Sequence, residues 1–263
     1  MWTLSRIALF PIKSLDPLFV DQVTVLPGGG LKGDRQFALF DADGQVINAK
    51  KRASIHQIRS TYDLEQQTVM LSSPHLEMSP ESFQLSENQP QLETWFSDFF
   101  RQPVSLKENT STGFPDDLEA AGPTVISTQT YEEVARWFPG ISVEELRQRF
   151  RANIEFTGDL PFCEDRLYAP VDTPVLFRLG EVTFAGSNPC KRCVVPSRVP
   201  STGQTDPQFM KTFILKREET FPSWGALSLF RNMYRLSVNT RLHCLPEGQS
   251  ARIQCGDPLE ILS

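Results

Sequence analysis

The stretch Asn188-Pro189-Cys190-Lys191-Arg192-Cys193-Val194-Val195-Pro196-Ser197-Arg198-Val199-Pro200-Ser201-Thr202-Gly203 sets two of the chain's five cysteines three positions apart, with two cations between them. Lysine and arginine beside a thiol favour the thiolate, the form that binds a soft metal or attacks an electrophile. On the residues alone three readings compete. A structural zinc site needs four ligands, and Cys163, Cys244, Cys255, His56, His75 and His243 supply no second pair at finger spacing. A thioredoxin-type dithiol needs its first cysteine at a helix start, whereas Val194-Val195-Pro196 leads away from one. The third reading is a pair of plain thiols, one in a core and one idle.

Outward from this stretch, composition sets the bounds. The chain has 263 residues, 40% hydrophobic and 22% charged, enough for one large core or two modest ones. Two domains are expected, over residues 1–110 and 111–263. A net charge of -6 argues against nucleic acid or an anionic membrane as partner, so basic residues serving an anionic ligand must be concentrated locally. Five cysteines without regular spacing resemble no disulfide framework and point to a reducing compartment. The apolar run Ile7 to Phe10 is cut by Pro11 and Lys13 short of a signal sequence, and no stretch approaches a membrane span. A cytoplasmic location is the expectation.

The first hundred residues read as mostly β: strands over Trp2–Ile12, Phe19–Leu26, Gln36–Phe40, Gln45–Ala49, Ile55–Tyr62, Thr68–Leu71 and Phe83–Leu85, with an Asp-Gly hairpin turn at Asp41–Gly44. Leu92, Trp95, Phe96, Phe99 and Phe100 recur at helical spacing. Val104–Lys107 closes the first unit, and the polar segment Asn109–Pro123 is the connector. Ser127 or Thr128 then caps a helix to about Trp137, and Ser142 with Glu145 is a capping box. Strands follow at Asn153–Thr157, Val175–Leu179, Val182–Ala185, Tyr234–Asn239 and Leu259–Leu262, with a hairpin at Gly180-Glu181. Met210–Glu219 reads as a helix near the cysteines with a solvated charged face.

The segment Cys190-Lys191-Arg192-Cys193 followed by Pro200-Ser201-Thr202-Gly203 resembles the cysteine loop of the molybdenum cofactor sulfurase C-terminal (MOSC) family, which reads Cys-x-Arg-Cys and then Pro-x-Thr-Gly. Further matches keep the family's order along the chain: Pro11-Ile12-Lys13-Ser14, Gly33-Asp34-Arg35, Arg151-Ala152-Asn153 and Gly256-Asp257 before the last strand. Ala152 stands for the usual Pro and Val199 for the usual Asp; neither change removes a metal ligand or a cation.

The resemblance implies a mainly β fold with some α: a MOSC β-barrel domain preceded by a small β-rich N-terminal MOSC domain. It implies the molybdenum cofactor (molybdopterin with molybdenum), with Cys193 as metal ligand and catalytic residue. Lys13, Ser14, Arg35, Arg151, Asn153 and Arg192 would bind the pterin and its phosphate, where the planar fork of arginine suits an oxyanion. Ser127 and Thr130, at a helix start, would either add hydrogen bonds to the cofactor or merely cap the helix. The implied activity is reduction of N-hydroxylated compounds, hydroxylamines and amidoximes, by electrons from a separate iron–sulfur, flavin or haem donor, since the chain has no ferredoxin cysteine set or nucleotide fingerprint of its own. The alternatives are a cofactor carrier or sulfur carrier without redox catalysis, and a structural barrel. The family's sulfurases carry a pyridoxal phosphate domain ahead, and nothing in this sequence resembles one.

Overall fold

The computed structural model describes residues 1–86, 89–117, 119–169, 174–246 and 251–262. Of the expected connector, Leu118 lies outside the described residues. The chain opens with β1 (Trp2–Leu9), β2 (Leu18–Val20) and β3 (Gln22–Thr24). An N-terminal unit follows: β4 (Phe37–Asp41), β5 (Val46–Ile47), a 3-10 turn at Ala53–Gln57, β6 (Arg59–Asp63), β7 (Thr68–Ser73), β8 (Met78–Gln84), helix α1 (Gln89–Phe100) and β9 (Val104–Glu108). Past the connector come β10 (Val125–Ser127), α2 (Thr128–Trp137), α3 (Val143–Phe150), β11 (Ile154–Thr157), β12 (Val175–Leu179) and β13 (Val182–Lys191). A 3-10 turn at Val195–Ser197, α4 (Phe209–Glu219), β14 (Arg235–Cys244), β15 (Arg252–Gln254) and β16 (Pro258–Ile261) complete it.

Seven strands close into a barrel in the order β11-β10-β14-β13-β12-β16-β1, sealed by β1 against β11, while β2 extends from β1. Alternation along each strand sends one face inward. Phe177 and Leu179 of β12 and Val182 and Phe184 of β13 are buried, joined by the Gly180-Glu181 turn, while Arg178 points out and pairs with Glu260 at 2.5 Å. Each large apolar side chain buried in this way contributes about 1.5–3 kcal/mol. β1 and β2, from the start of the chain, belong to the sheet built by residues 125–261. The strand expected over Phe19–Leu26 breaks at Asp21, where the chain leaves the barrel sheet to pair β3 with β15, a short strand the sequence pattern does not reveal.

The N-terminal unit stacks two three-stranded sheets, β5-β4-β9 and β6-β7-β8, with α1. The spacing of Leu92, Trp95, Phe96 and Phe99 puts all four in its core with Phe37, Leu39, Val69, Leu71 and Phe83. Ile55–Gln57 forms a 3-10 turn, not the start of a strand.

Outside the barrel, α2, α3 and α4 enclose Tyr131, Val134, Trp137, Phe150, Phe209 and Phe213. Ser127 and Ser142 cap α2 and α3, accepting from the amides of Thr130 and Glu145 at 3.1 Å each. The solvated charged face expected on α4 is corrected at Arg217, which is 1% exposed. It pairs with buried Asp165, and its guanidinium lies 3.9 Å from the centroid of Phe162. Among the described residues no helix is long and apolar enough to cross a membrane.

Candidate functional site

The strand β13 runs past the expected end at Ala185 and on through Cys190 and Lys191. Register shifts around Gly186–Asn188 and Pro189–Lys191 admit the proline, whose missing N–H would otherwise break the ladder. Arg192 makes one more backbone bond, to the Tyr234 carbonyl at 3.0 Å, before the chain turns through Val195–Ser197.

From Cys193 onward the segment crosses from the barrel to the N-terminal unit and is held there. Val195, 8% exposed, inserts into the core of that unit, and Cys193 packs on it. Arg198 donates to the carbonyls of Ala49 and Lys50. Arg59 donates to the carbonyls of His56 (2.5 Å) and Pro200 (3.1 Å) at once, and Gln57 reaches the Thr202 carbonyl at 3.4 Å. At Gly203, φ is +75° and a Cβ would stand 2.2 Å from the Ala53 carbonyl oxygen. Only glycine permits both that conformation and that approach.

The resemblance-implied cations converge on this seam from separate segments. Lys13 is buried and donates to Phe114 O (2.8 Å) and Asp116 Oδ1 (2.6 Å). Arg35 pairs with Asp34 and donates to Asn153 Oδ1 at 3.3 Å; Asn153 in turn donates to Ala8 O at 3.1 Å and is 2% exposed. Arg151 donates to Leu15 O at 2.7 Å. The guanidiniums of Arg35 and Arg151 both face the Phe10 ring, at 5.3 and 4.0 Å from its centroid. Arg192 donates to Phe150 O and, at 3.0 Å, to Cys190 Sγ, so its hydrogen bond to sulfur goes to Cys190 and not to Cys193. Ser14 accepts from the Ala49 amide at 3.1 Å. Eight described non-glycine residues have positive φ, and three of them are Ser14, Arg35 and Arg151. Such conformations concentrate where surroundings over-determine the backbone, commonly at ligand sites.

The electrostatics are those of a positive enclosure. Burial, then the neighbouring Arg35, lowers Arg151 to about 10. Burial lowers Lys13 despite Asp116. Burial, then Arg151, Arg198, Arg59 and Arg149, push His56 down to about 4, so its imidazole is neutral at pH 7. No carboxylate among the described residues lies within 4.0 Å of Arg151, Arg192 or Arg198. His56 Nε2, Arg198 Nε and the Tyr234 hydroxyl are buried without a hydrogen-bond partner.

Ser127 and Thr130 are engaged elsewhere. Beyond the cap, Thr130 Oγ1 donates to Glu164 Oε2 at 2.8 Å and accepts from the Phe162 amide at 2.6 Å, which leaves both side chains committed to the fold. The residues that sequence reasoning missed are Asp116, Arg198 and His56 in any role but a zinc ligand. Their local sequence is ordinary and their role arises only from the seam. Among the described residues no three or more His, Cys, Asp or Glu side chains are gathered as a metal-ligand group.

A group with a soft metal at one end and a phosphate at the other needs a thiol and a cluster of cations, and this donor set suits it. Unpaired guanidiniums and orphaned buried donors are the features an anion would satisfy. A curated relative from Oryza sativa subsp. japonica, "Molybdenum cofactor sulfurase", is 22% identical over 247 residues, covering 76% of this chain and 29% of its own. "Molybdenum cofactor sulfurase 2" of Culex quinquefasciatus is 21% identical over 300 residues, covering 99% of this chain and 37% of its own. The chain thus spans about a third of the length of these relatives. A crystal structure described as that of a hypothetical protein aligns over 100% of this chain and 68% of its own at 12% identity, with a TM-score of 0.39. Residues 1–141 match the MOSC N-terminal beta barrel domain and residues 122–260 the MOSC domain, so the chain belongs to the MOSC family.

Proposed function

We propose that this chain binds the molybdenum cofactor in the seam between barrel and N-terminal unit and reduces N-hydroxylated compounds with electrons from a separate iron–sulfur, flavin or haem protein. The observation that carries the reading is a buried cluster of Lys13, Arg35 and Arg151 near enough to act on one another, with Arg35 also within reach of Cys190 and Arg192 bonded to it, and no carboxylate within 4.0 Å of Arg151, Arg192 or Arg198 among the described residues. When bound, the cofactor supplies two-electron chemistry at a soft metal. Cys193 would hold that metal as a thiolate, steadied by the core beneath it. Arg35, fixed by Asp34 and Asn153, and Arg151, stacked on Phe10, would face the anionic end. Lys13 adds a point charge. Val195 seals the N-terminal side of the segment against water.

The test is metal and pterin analysis of protein made in a host that synthesises the cofactor, wild type beside Cys193→Ser, followed by reduction of benzamidoxime with an artificial electron donor. Near-stoichiometric molybdenum and pterin, metal lost in the variant, and turnover by the wild type support the reading. Arg35→Ala and Arg151→Ala should release cofactor more readily than Lys216→Ala on α4, whose amine pairs with Glu219 in solvent.

A second reading has one observation in its favour. Arg192 lies on Cys190 at 3.0 Å, a placement that suits a sulfur-carrying thiolate, and the relatives are sulfurases. Cofactor content without reduction of benzamidoxime would favour that carrier role.

A further inference from the structure

Two seam residues have no part in the family resemblance: His56 and Arg198. His56 lies in the 3-10 turn Ala53–Gln57 and is 9% exposed. Arg59 lashes that turn to the cysteine segment by donating to the carbonyls of both His56 and Pro200, and Gly203 abuts Ala53 from the other side. Arg198 crosses the same seam in the opposite sense. Its two terminal nitrogens are taken up by the Ala49 and Lys50 carbonyls, while Nε is buried with no partner. His56 Nε2 is buried with no partner as well. Arg151 uses one of its donors on Leu15 O and rests on Phe10.

Buried donors left unsatisfied are costly, and Asp16, which pairs with Arg59 and acts on Arg151, is set against the several guanidiniums that bear on His56. A fold that keeps two orphaned nitrogens, on His56 and Arg198, within electrostatic reach of each other is built for an acceptor with negative charge. We propose that His56 and Arg198 form a subsite for an oxyanion, a carboxylate or a phosphate, on the N-terminal side of the segment that carries Cys193. Resting on the cofactor reading above, this assigns the substrate class as N-hydroxylated compounds that bear such an anionic group. The neutral imidazole fits the role, since it can present a donor without adding to the crowd of positive charge. Against a chain of net charge -6, the subsite is a local trap and not part of a general anion surface.

One ligand chemistry has two sources here, the substrate's own anionic group and the cofactor's phosphate. The experiment is calorimetric titration of the full chain with inorganic phosphate at low ionic strength, in cofactor-free and cofactor-loaded forms. Wild type, His56→Gln, Arg198→Gln and, as control, Arg178→Gln on the barrel exterior are compared. Phosphate affinity should fall about tenfold or more in His56→Gln and Arg198→Gln and stay level in Arg178→Gln. Binding that persists in the loaded protein assigns the subsite to the substrate. Binding confined to the cofactor-free protein assigns the same oxyanion subsite to the cofactor's phosphate and overturns the substrate class. Unchanged affinity in His56→Gln, a change small enough to fold whatever Arg198→Gln does, overturns the subsite. So does a wild type that binds no phosphate in either form, and the molybdenum analysis of the cofactor reading stands or falls separately.

Discussion

Replacing Gly203 by alanine tests whether the cysteine segment depends on its close approach to the N-terminal unit. Two costs are separable. The first is conformational: at φ +75° an alanine is disfavoured by about 1–2 kcal/mol. The second is contact, because the new Cβ would lie 2.2 Å from the Ala53 carbonyl oxygen and 3.0 Å from its carbon. A backbone carbonyl cannot rotate aside as a side chain does, so the seam must open by about 1 Å, at about 1–3 kcal/mol. Gly44 supplies the control: its φ is +71° and nothing lies within 4 Å of its Cβ position, so Gly44→Ala carries the first cost alone. The difference of about 1–3 kcal/mol should lower the melting temperature of Gly203→Ala by about 2–5 °C relative to Gly44→Ala, read by circular dichroism. Equal melting temperatures would refute the claim that the Gly203–Ala53 contact holds the segment.

Glu164 is buried beside Asp165, and burial, then that neighbour, raise it from 4.5 to about 7. Its folded-state value lies above the unfolded one, so its contribution to stability is complete below pH 4.5 and is lost as pH climbs through about 7. Glu164→Gln does not titrate; its melting temperature should gain on the wild type between pH 5 and 8, and parallel profiles would exclude the effect. Ser127→Ala should cost about 0.5–2 kcal/mol in urea unfolding through loss of the α2 cap while leaving molybdenum content unchanged; loss of metal would move Ser127 into the site.

What the sequence disclosed was what neighbours in the chain decide. The turn at Asp41–Gly44, the apolar stripe of α1 and the caps at Ser127 and Ser142 each involve residues a few positions apart, and the structure contains all of them. Features set by distant partners were hidden. Arg217 sits in a stretch rich in charge, and its burial is decided by Asp165, 52 residues earlier. Arg198 meets Ala49 across 149 residues, and Arg59 meets Pro200 across 141, so neither betrays its role locally. The strand expected over Val182–Ala185 continues past Pro189, because pairing with distant β14 in an irregular register accommodates the proline. The cysteine and arginine motifs were visible as types in order along the chain. That they share one seam is a property of the barrel's closure.

The position of β1 has a consequence for biosynthesis. Trp2 pairs with Leu259 and Thr3 with Thr157, so β1 leaves the ribosome well before the strands that flank it. At roughly 5–20 residues per second, it waits on the order of 12–50 s for its last neighbour. Meanwhile the strands of residues 37–108 have all their sheet partners within reach, while Leu4, Ile7 and Leu9 of β1 wait for the later barrel strands to cover them. Lys13 and Arg35 come from that early half, Arg151 and Cys193 from the later one. A nascent chain therefore cannot be loaded piecemeal: whatever occupies the seam meets it only after translation has passed the final barrel strand.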